Sequence, residues 1–128
     1  MTEPPAATPL SPAQRAAVEE VLAAERASAT EQIDDLTRDH AGIIAASAES
    51  NADDEHDPEG ATIAFEREQL AALLRQARGR LADLDRALEQ LADGTYGSCE
   101  NCGRPIAPER LAARPAARTC ITCAARRR

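Results

Sequence analysis

The arrangement of the four cysteines is the feature that most constrains the fold of this 128-residue chain. They form two C-x2-C pairs, Cys99 with Cys102 and Cys120 with Cys123, separated by seventeen residues. One such pair places two thiolates on a tight turn, and two pairs roughly 15 to 20 residues apart are typical of a four-cysteine zinc site. Because four sulfurs fill a tetrahedral shell and leave no position for a catalytic water, the pattern predicts one structural zinc ion.

Two disulfides are the alternative use of these cysteines. Disulfides are typical of secreted proteins, and the N-terminus lacks the basic-then-apolar pattern of a targeting segment, which favours zinc. A thioredoxin-like role for one C-x2-C is less favoured still, since no strand–helix–strand pattern surrounds it. No apolar run reaches the length of a membrane span, so we expect a cytoplasmic protein without membrane association. Gly103 follows the first pair, where a positive backbone angle would turn amides toward the sulfurs.

The residues around the cysteines resemble the zinc-finger signature of the DksA/TraR family. The matching string reads Tyr96-Gly97-x-Cys99-x2-Cys102-Gly103-x2-Ile106, then Arg110-Leu111-x-Ala113-x-Pro115, then Cys120-Ile121-x-Cys123, and it covers about a quarter of the chain. The family consists of bacterial transcription regulators that bind RNA polymerase directly. The resemblance therefore implies a zinc-containing regulator and not an enzyme.

A long helix is predicted in the first half of the chain. Residues 1–10 hold three prolines without periodicity and are predicted to be disordered. Ser11 and Gln14 can form a capping box with Pro12 in the first turn, so the helix should begin there and run to about Ser50. Apolar residues recur along one side of this helix at alternating spacings of four and three residues, and we call this row of positions the seam. The seam consists of Leu22, Ala29, Ile33, Leu36 and Ile43, interrupted by Arg26, His40 and Ser47.

A second helix of similar length has a more regular seam. Asp57 can cap it with Pro58 in the first turn, and the alternative start is Thr62, because Gly60 weakens a helix that begins before it. Asp93-Gly94 should end it. Its apolar positions are Ile63, Leu70, Leu74, Ala77, Leu81, Leu84, Leu88 and Leu91, with Arg67 at the skipped position. Two long helices joined by a short turn predict a mainly α fold, an antiparallel coiled-coil hairpin over residues 11–94. A parallel homodimer is the alternative, but it leaves the matching lengths unexplained, so we expect a monomer. A small zinc-finger module over residues 95–128, with a short basic tail, completes the chain.

The turn between the helices, residues 51–60, is acidic. It contains Asp53, Asp54, Glu55, Asp57 and Glu59 without a basic residue. On charge alone, such a run is a solvated loop. The resemblance adds a second interpretation, because the DksA/TraR family has a tip motif that reads Asp-x-x-Asp-x-Ala. Asp54 and Asp57 match the two aspartates of this motif. Glu59 stands in place of the alanine. In that family the coiled coil enters the secondary channel of RNA polymerase and acidic tip residues approach the catalytic centre.

The charge distribution limits the choice of partners. The net charge is −7, made up of −12 in residues 1–98 and +5 in residues 99–128. Acidity on this scale argues against a protein that coats DNA, since phosphate neutralisation requires clustered cations. The resemblance therefore implies a factor that binds RNA polymerase through the secondary channel and modulates initiation without base-specific DNA contacts. Guanosine tetraphosphate, which family members often bind at the polymerase interface, is an implied ligand. The alternative function is a structural adaptor that binds another protein.

Overall fold

The computed structural model is mainly helical and describes residues 9–50 and 58–126, with the side chains of 47–50 and 58–59 excepted. Its elements are α1 (Pro12–Ser50), α2 (Pro58–Asp93), α3 (Pro108–Ala113) and α4 (Ile121–Arg126). The two long helices form a hairpin and the four cysteines follow it, which confirms the predicted fold class. Over the described ranges, no helix has both the length and the apolar character needed to cross a membrane.

Hydrogen bonds between nearby residues determine where α1 begins and where α2 ends. At the start of α1, the Ser11 amide donates to Gln14 Oε1 at 2.8 Å and the Gln14 amide donates to Ser11 Oγ at 3.1 Å. This is the predicted capping box. At the end of α2, Gly94 adopts a φ of 86° and the Thr95 amide donates to the Gln90 carbonyl at 2.9 Å. That bond is the six-to-one bond of a Schellman motif, which only a residue tolerant of positive φ allows.

The apolar seam residues of both helices are shielded from solvent, whereas Arg26 and Arg67 at polar seam positions are exposed. On α1, Leu22 and Ala29 are fully buried, while the predicted seam positions farther along the helix, Ile33, Leu36, His40 and Ile43, are half-buried. On α2 the buried residues are Leu74, Ala77, Leu84, Ala87 and Leu91. Ala87 is 3% exposed although the seam predicts the neighbouring Leu88, which is only half-buried. The heptad interpretation is thus confirmed, with one additional small residue in the core.

The chain forms two compact units. One consists of the chain up to Ala27 together with the chain from Ala82 onward, and the other is Ser28–Leu81. In the first unit, Arg15 Nη2 donates to the Leu91 carbonyl at 3.0 Å and Arg26 Nε donates to Asp85 at 2.5 Å. These contacts pair the start of α1 with the end of α2, so the two helices run antiparallel. Arg15 also brings a positive charge to the last turn of α2, where it interacts favourably with the negative end of the helix dipole.

Candidate metal centre

The first cysteine pair lies on a tight turn immediately after α2. The Cys99 amide donates to the Arg104 carbonyl at 2.8 Å, and the Gly103 amide donates back to the Cys99 carbonyl at 2.9 Å. Gly103 has a φ of 76°, as predicted, and this left-handed conformation allows the chain to reverse directly after Cys102. An isolated bridge between Ser98 and Pro105 closes the turn. Local backbone bonds therefore hold the first two sulfurs on the same side of the turn.

The second pair lies at the start of α4. The Ala124 amide donates to the Cys120 carbonyl at 2.9 Å, so Cys120 and Cys123 share the first helical turn. Asn101 connects the two pairs, because its Nδ2 lies 3.3 Å from the Cys123 sulfur. Cys99 and Cys123 are buried, while Cys102 and Cys120 are half-buried, and none of the four forms a disulfide.

The four sulfurs fit a single zinc ion. All four Sγ atoms lie within 4.8 Å of one another. Zinc–sulfur bonds of about 2.3 Å in a tetrahedron place the sulfurs about 3.8 Å apart. The separation between the sulfurs of Cys102 and Cys120 is 3.8 Å. The geometry therefore matches a closed structural site rather than one with an open position for substrate.

The electrostatics of the cluster also suit a cation. Burial raises the pKa of the Cys99 thiol, but hydrogen bonds from the backbone amides of Cys102, Cys120 and Asn101 outweigh it and lower that pKa to about 6. At Cys102 the Arg104 amide lowers the pKa, yet burial and the three neighbouring sulfurs raise it to about 11. The Cys99 thiol thus ionises readily, whereas the Cys102 thiol resists ionisation. A hydrogen bond from the Cys123 backbone also lowers the pKa of Cys120. A bound dication compensates the charge that these sulfurs would otherwise accumulate.

Other residues of the motif shape the module around the cysteines. Ile106 is buried and packs in one cluster with Cys99 and Cys123, and Leu111 and Ala117 pack against that cluster. The Tyr96 hydroxyl donates to the Pro115 carbonyl at 2.7 Å, and Arg110 Nε donates to the Thr119 carbonyl at 2.9 Å. These two bonds hold the segment that leads from α3 to the second cysteine pair.

Comparison with known proteins agrees with this geometry. Residues 94–128 match the model of the prokaryotic DksA/TraR C4-type zinc finger. The structure of transcription factor DksA2 from Pseudomonas aeruginosa aligns with 91% of this chain and 84% of its own, at a TM-score of 0.73 and 28% identity. Residues 94–128 therefore form a DksA/TraR C4-type zinc finger, and the chain shares the fold of DksA2. The cofactor of this finger is one structural zinc ion, as the cysteine spacing predicts.

Individual curated proteins are similar to this chain over shorter segments. YteA of Bacillus subtilis is 42% identical over 71 residues, which are 56% of this chain and 30% of that protein. The RNA polymerase-binding transcription factor DksA of Caulobacter vibrioides is 48% identical over 40 residues, which are 31% of this chain and 28% of that protein. The chain thus spans less than a third of the length of these two curated relatives.

A network of ion pairs, which the sequence patterns do not reveal, joins the DksA/TraR finger to α2. Glu100 lies within the first cysteine pair, and its carboxylate accepts from Arg86 Nη1 at 2.6 Å and from Arg118 Nε at 2.9 Å. Arg118 also lies 3.4 Å from Asp83. Burial raises the pKa of Glu100, but the hydrogen bonds from the two guanidinium groups lower it overall. The Glu100 amide donates to the Arg118 carbonyl at 2.9 Å, so Glu100 connects three segments.

The acidic tip expected from the family motif stays a prediction. Asp53, Asp54, Glu55 and Asp57 lie outside the described residues. Glu59 belongs to the first turn of α2, but its side chain also lies outside the described part.

Proposed function

We propose that this chain binds RNA polymerase and modulates transcription initiation through the secondary channel, without base-specific DNA contacts and without catalysis of its own. The observation that carries the proposal is the likeness to DksA2 over 84% of that protein's length, which includes both the hairpin and the finger. The similar protein from Caulobacter vibrioides is an RNA polymerase-binding transcription factor, which supports the same partner. The net charge of −7 is consistent with a protein partner rather than a DNA duplex.

In this proposal the finger is a rigid base for the hairpin. Cys99, Cys102, Cys120 and Cys123 would hold the zinc ion, and all four coordination positions would be filled. The ion would then have no position for a water or a substrate, which supports a structural rather than a catalytic role. The Glu100 network would fix the direction in which the finger meets α2.

The acidic tip is proposed to act on the polymerase after docking. Asp54 and Asp57 match the spacing of the family's tip motif, with Asp53, Glu55 and Glu59 nearby. Carboxylate oxygens are the ligands that Mg²⁺ prefers, so a tip near the catalytic centre can perturb the metal. It can also compete electrostatically with nucleic-acid phosphates.

A double substitution separates binding from regulation. We expect Asp54→Asn with Asp57→Asn to leave the affinity for core polymerase nearly unchanged and to remove most of the effect on open-complex lifetime. Asn preserves the size of the side chain and caps helices well, so the start of α2 should survive the change. Competition binding and lifetime assays on the same preparations measure the two quantities. If the double variant changes the open-complex lifetime as much as the parent does, these acidic side chains serve only to keep the turn hydrated.

The adaptor alternative makes a different prediction for purified components. An adaptor for another protein would show no saturable binding to purified polymerase, whatever the state of its tip. Adding guanosine tetraphosphate to the lifetime assay tests the ligand that the family resemblance implies. Analytical ultracentrifugation of the zinc-loaded protein tests the expectation that it acts as a monomer.

A further inference from the structure

The four sulfurs of the metal centre are not enclosed equally, since each cysteine pair has one buried and one half-buried member. Cys99 and Cys123 are 3% and 4% exposed and pack in one cluster with Ile106. Asn101 donates to both of these sulfurs, with its backbone amide to Cys99 and with its side-chain Nδ2 to Cys123 at 3.3 Å. Such hydrogen bonds fix the orientation of metal ligands. We call Cys99 and Cys123 the buried ligands.

A cleft borders the two half-buried cysteines. Its volume is about 490 Å³, which suits a small molecule. The residues that line it include three metal ligands and three polar or charged residues, namely Cys102, Cys120, Cys123, Arg104, Thr122 and Arg126. Because Cys102 and Cys120 are only half-buried, their sulfurs are the ones that a molecule in the cleft can approach. We call Cys102 and Cys120 the cleft ligands.

The charges around the cleft suit an anion. A zinc ion with four thiolates has an excess of negative charge, which repels anions from the centre. Arg104 and Arg126 are exposed, and within residues 9–50 and 58–126 neither guanidinium forms an ion pair or a hydrogen bond. Arg110 and Arg118 of the same finger, by contrast, already bond to other residues. The two cleft arginines therefore offset the charge of the centre and offer hydrogen-bond donors to a carboxylate.

We propose that the cleft is a binding site for a small polycarboxylate, through which zinc enters and leaves the finger. The ligand pairs with Arg104 and Arg126, and Thr122 offers a hydroxyl. Since the four sulfurs fill the coordination shell, a carboxylate oxygen takes the place of the Cys102 or Cys120 sulfur at the ion. The released thiolate takes up a proton from solvent, so no residue is oxidised or reduced. This route concerns the metal alone and does not depend on the proposed polymerase partner.

The test follows the transfer of zinc from the full zinc-loaded chain to two chelators. EDTA is a polycarboxylate, whereas TPEN binds zinc through neutral pyridine and amine nitrogens. The zinc retained by the chain is measured by metal analysis after rapid desalting. For the parent, the rate of transfer to EDTA should rise with the concentration of EDTA, because the incoming ligand takes part in the exchange.

The double variant Arg104→Gln, Arg126→Gln should transfer zinc to EDTA about tenfold more slowly at low salt, and added salt should reduce the difference from the parent. Its transfer to TPEN should equal that of the parent. Arg75→Gln with Arg78→Gln is the matched control, because it removes the same charge from exposed positions of α2 in the other unit. This control should leave both rates unchanged. Metal analysis checks that each variant holds one zinc per chain before the transfer begins.

Each result has a distinct meaning. Slower transfer to EDTA alone, with an unchanged control, supports the binding site. A rate that does not depend on the concentration of EDTA overturns the proposal, because zinc then leaves without an incoming ligand. Equal changes with both chelators also overturn it, since the arginines then act only on the stability of the centre. Rates that equal those of the parent with both chelators overturn it as well. None of these results bears on the binding of RNA polymerase.

Discussion

At the residue scale, Glu100 links the metal centre to the helical part of the first unit. Its side chain is 23% exposed and accepts from two guanidinium groups, one on α2 and one between α3 and α4. Its backbone amide lies within the first cysteine turn. Glu100 thus connects the finger to α2 through its own side chain and backbone.

We expect Glu100→Gln to lower the thermal unfolding midpoint of the zinc-loaded protein by a few degrees. The amide keeps the size of the side chain but loses the charge that attracts Arg86 and Arg118. Because the pairs are partly exposed, added salt should shrink the difference between parent and variant. Glu20→Gln is the control, since Glu20 is exposed and has no ion pair among the described residues. Equal midpoints for the parent and Glu100→Gln would show that the network does not contribute to stability.

At the element scale, the hairpin depends on a narrow seam of aliphatic side chains. Leu22 and Leu84 are the largest fully buried side chains of the described chain, one on each long helix. Polar residues also occupy seam positions of α1, and Arg26 reaches the edge of the seam to pair with Asp85 at 2.5 Å. The fully buried large apolar side chains of the seam are therefore a few leucines.

Leu84→Ala should lower the free energy of unfolding by about 2–5 kcal/mol, because it removes a fully buried side chain and leaves a cavity. Leu73→Ala on the same helix is the matched control, since Leu73 is 44% exposed and its loss should cost less than about 1 kcal/mol. Urea unfolding followed by circular dichroism gives both values. Similar costs at the two positions would contradict the seam assignment.

At the scale of the whole molecule, the metal and the seam stabilise different parts of the chain. The finger has a small apolar core, in which Ile106 and two cysteines are the buried members. Such a core is too small to order the segment without its metal. Among the described residues, the group that could hold a metal ion lies in the finger and includes no seam residue of α1 or α2.

Removal of zinc should therefore unfold the finger and leave most of the helicity of α1 and α2. Metal analysis of the reduced protein should give one zinc per chain. Chelation should then abolish the protection of the Cys99 and Ile106 amides from hydrogen exchange while the far-ultraviolet circular dichroism falls only slightly. The variant Cys99→Ser, Cys102→Ser should behave like the chelated parent. A metal-free finger that stays protected would contradict the zinc assignment.

The sequence by itself determined the features that have local causes. The capping box at Ser11 and the positive φ at Gly94 involve residues at most a few positions apart, so the ends of the long helices could be predicted. The spacing of Leu74, Ala77 and Leu84 predicts which side of α2 is buried, because apolar residues that recur with the helical period lie on one side of a helix. The cysteine spacing likewise predicted the zinc module, since each pair needs only its own turn.

The tertiary structure alone decided the contacts between distant segments. Arg26 meets Asp85 across 59 positions and Arg118 meets Glu100 across 18, and no short-range pattern encodes such pairs. Ala87 is buried in place of Leu88 because the fit of the packed helices, and not periodicity, determines which of two neighbours is covered. Helix ends and turns depend on nearby bonds, whereas ion pairs and exposed faces depend on how the elements pack together.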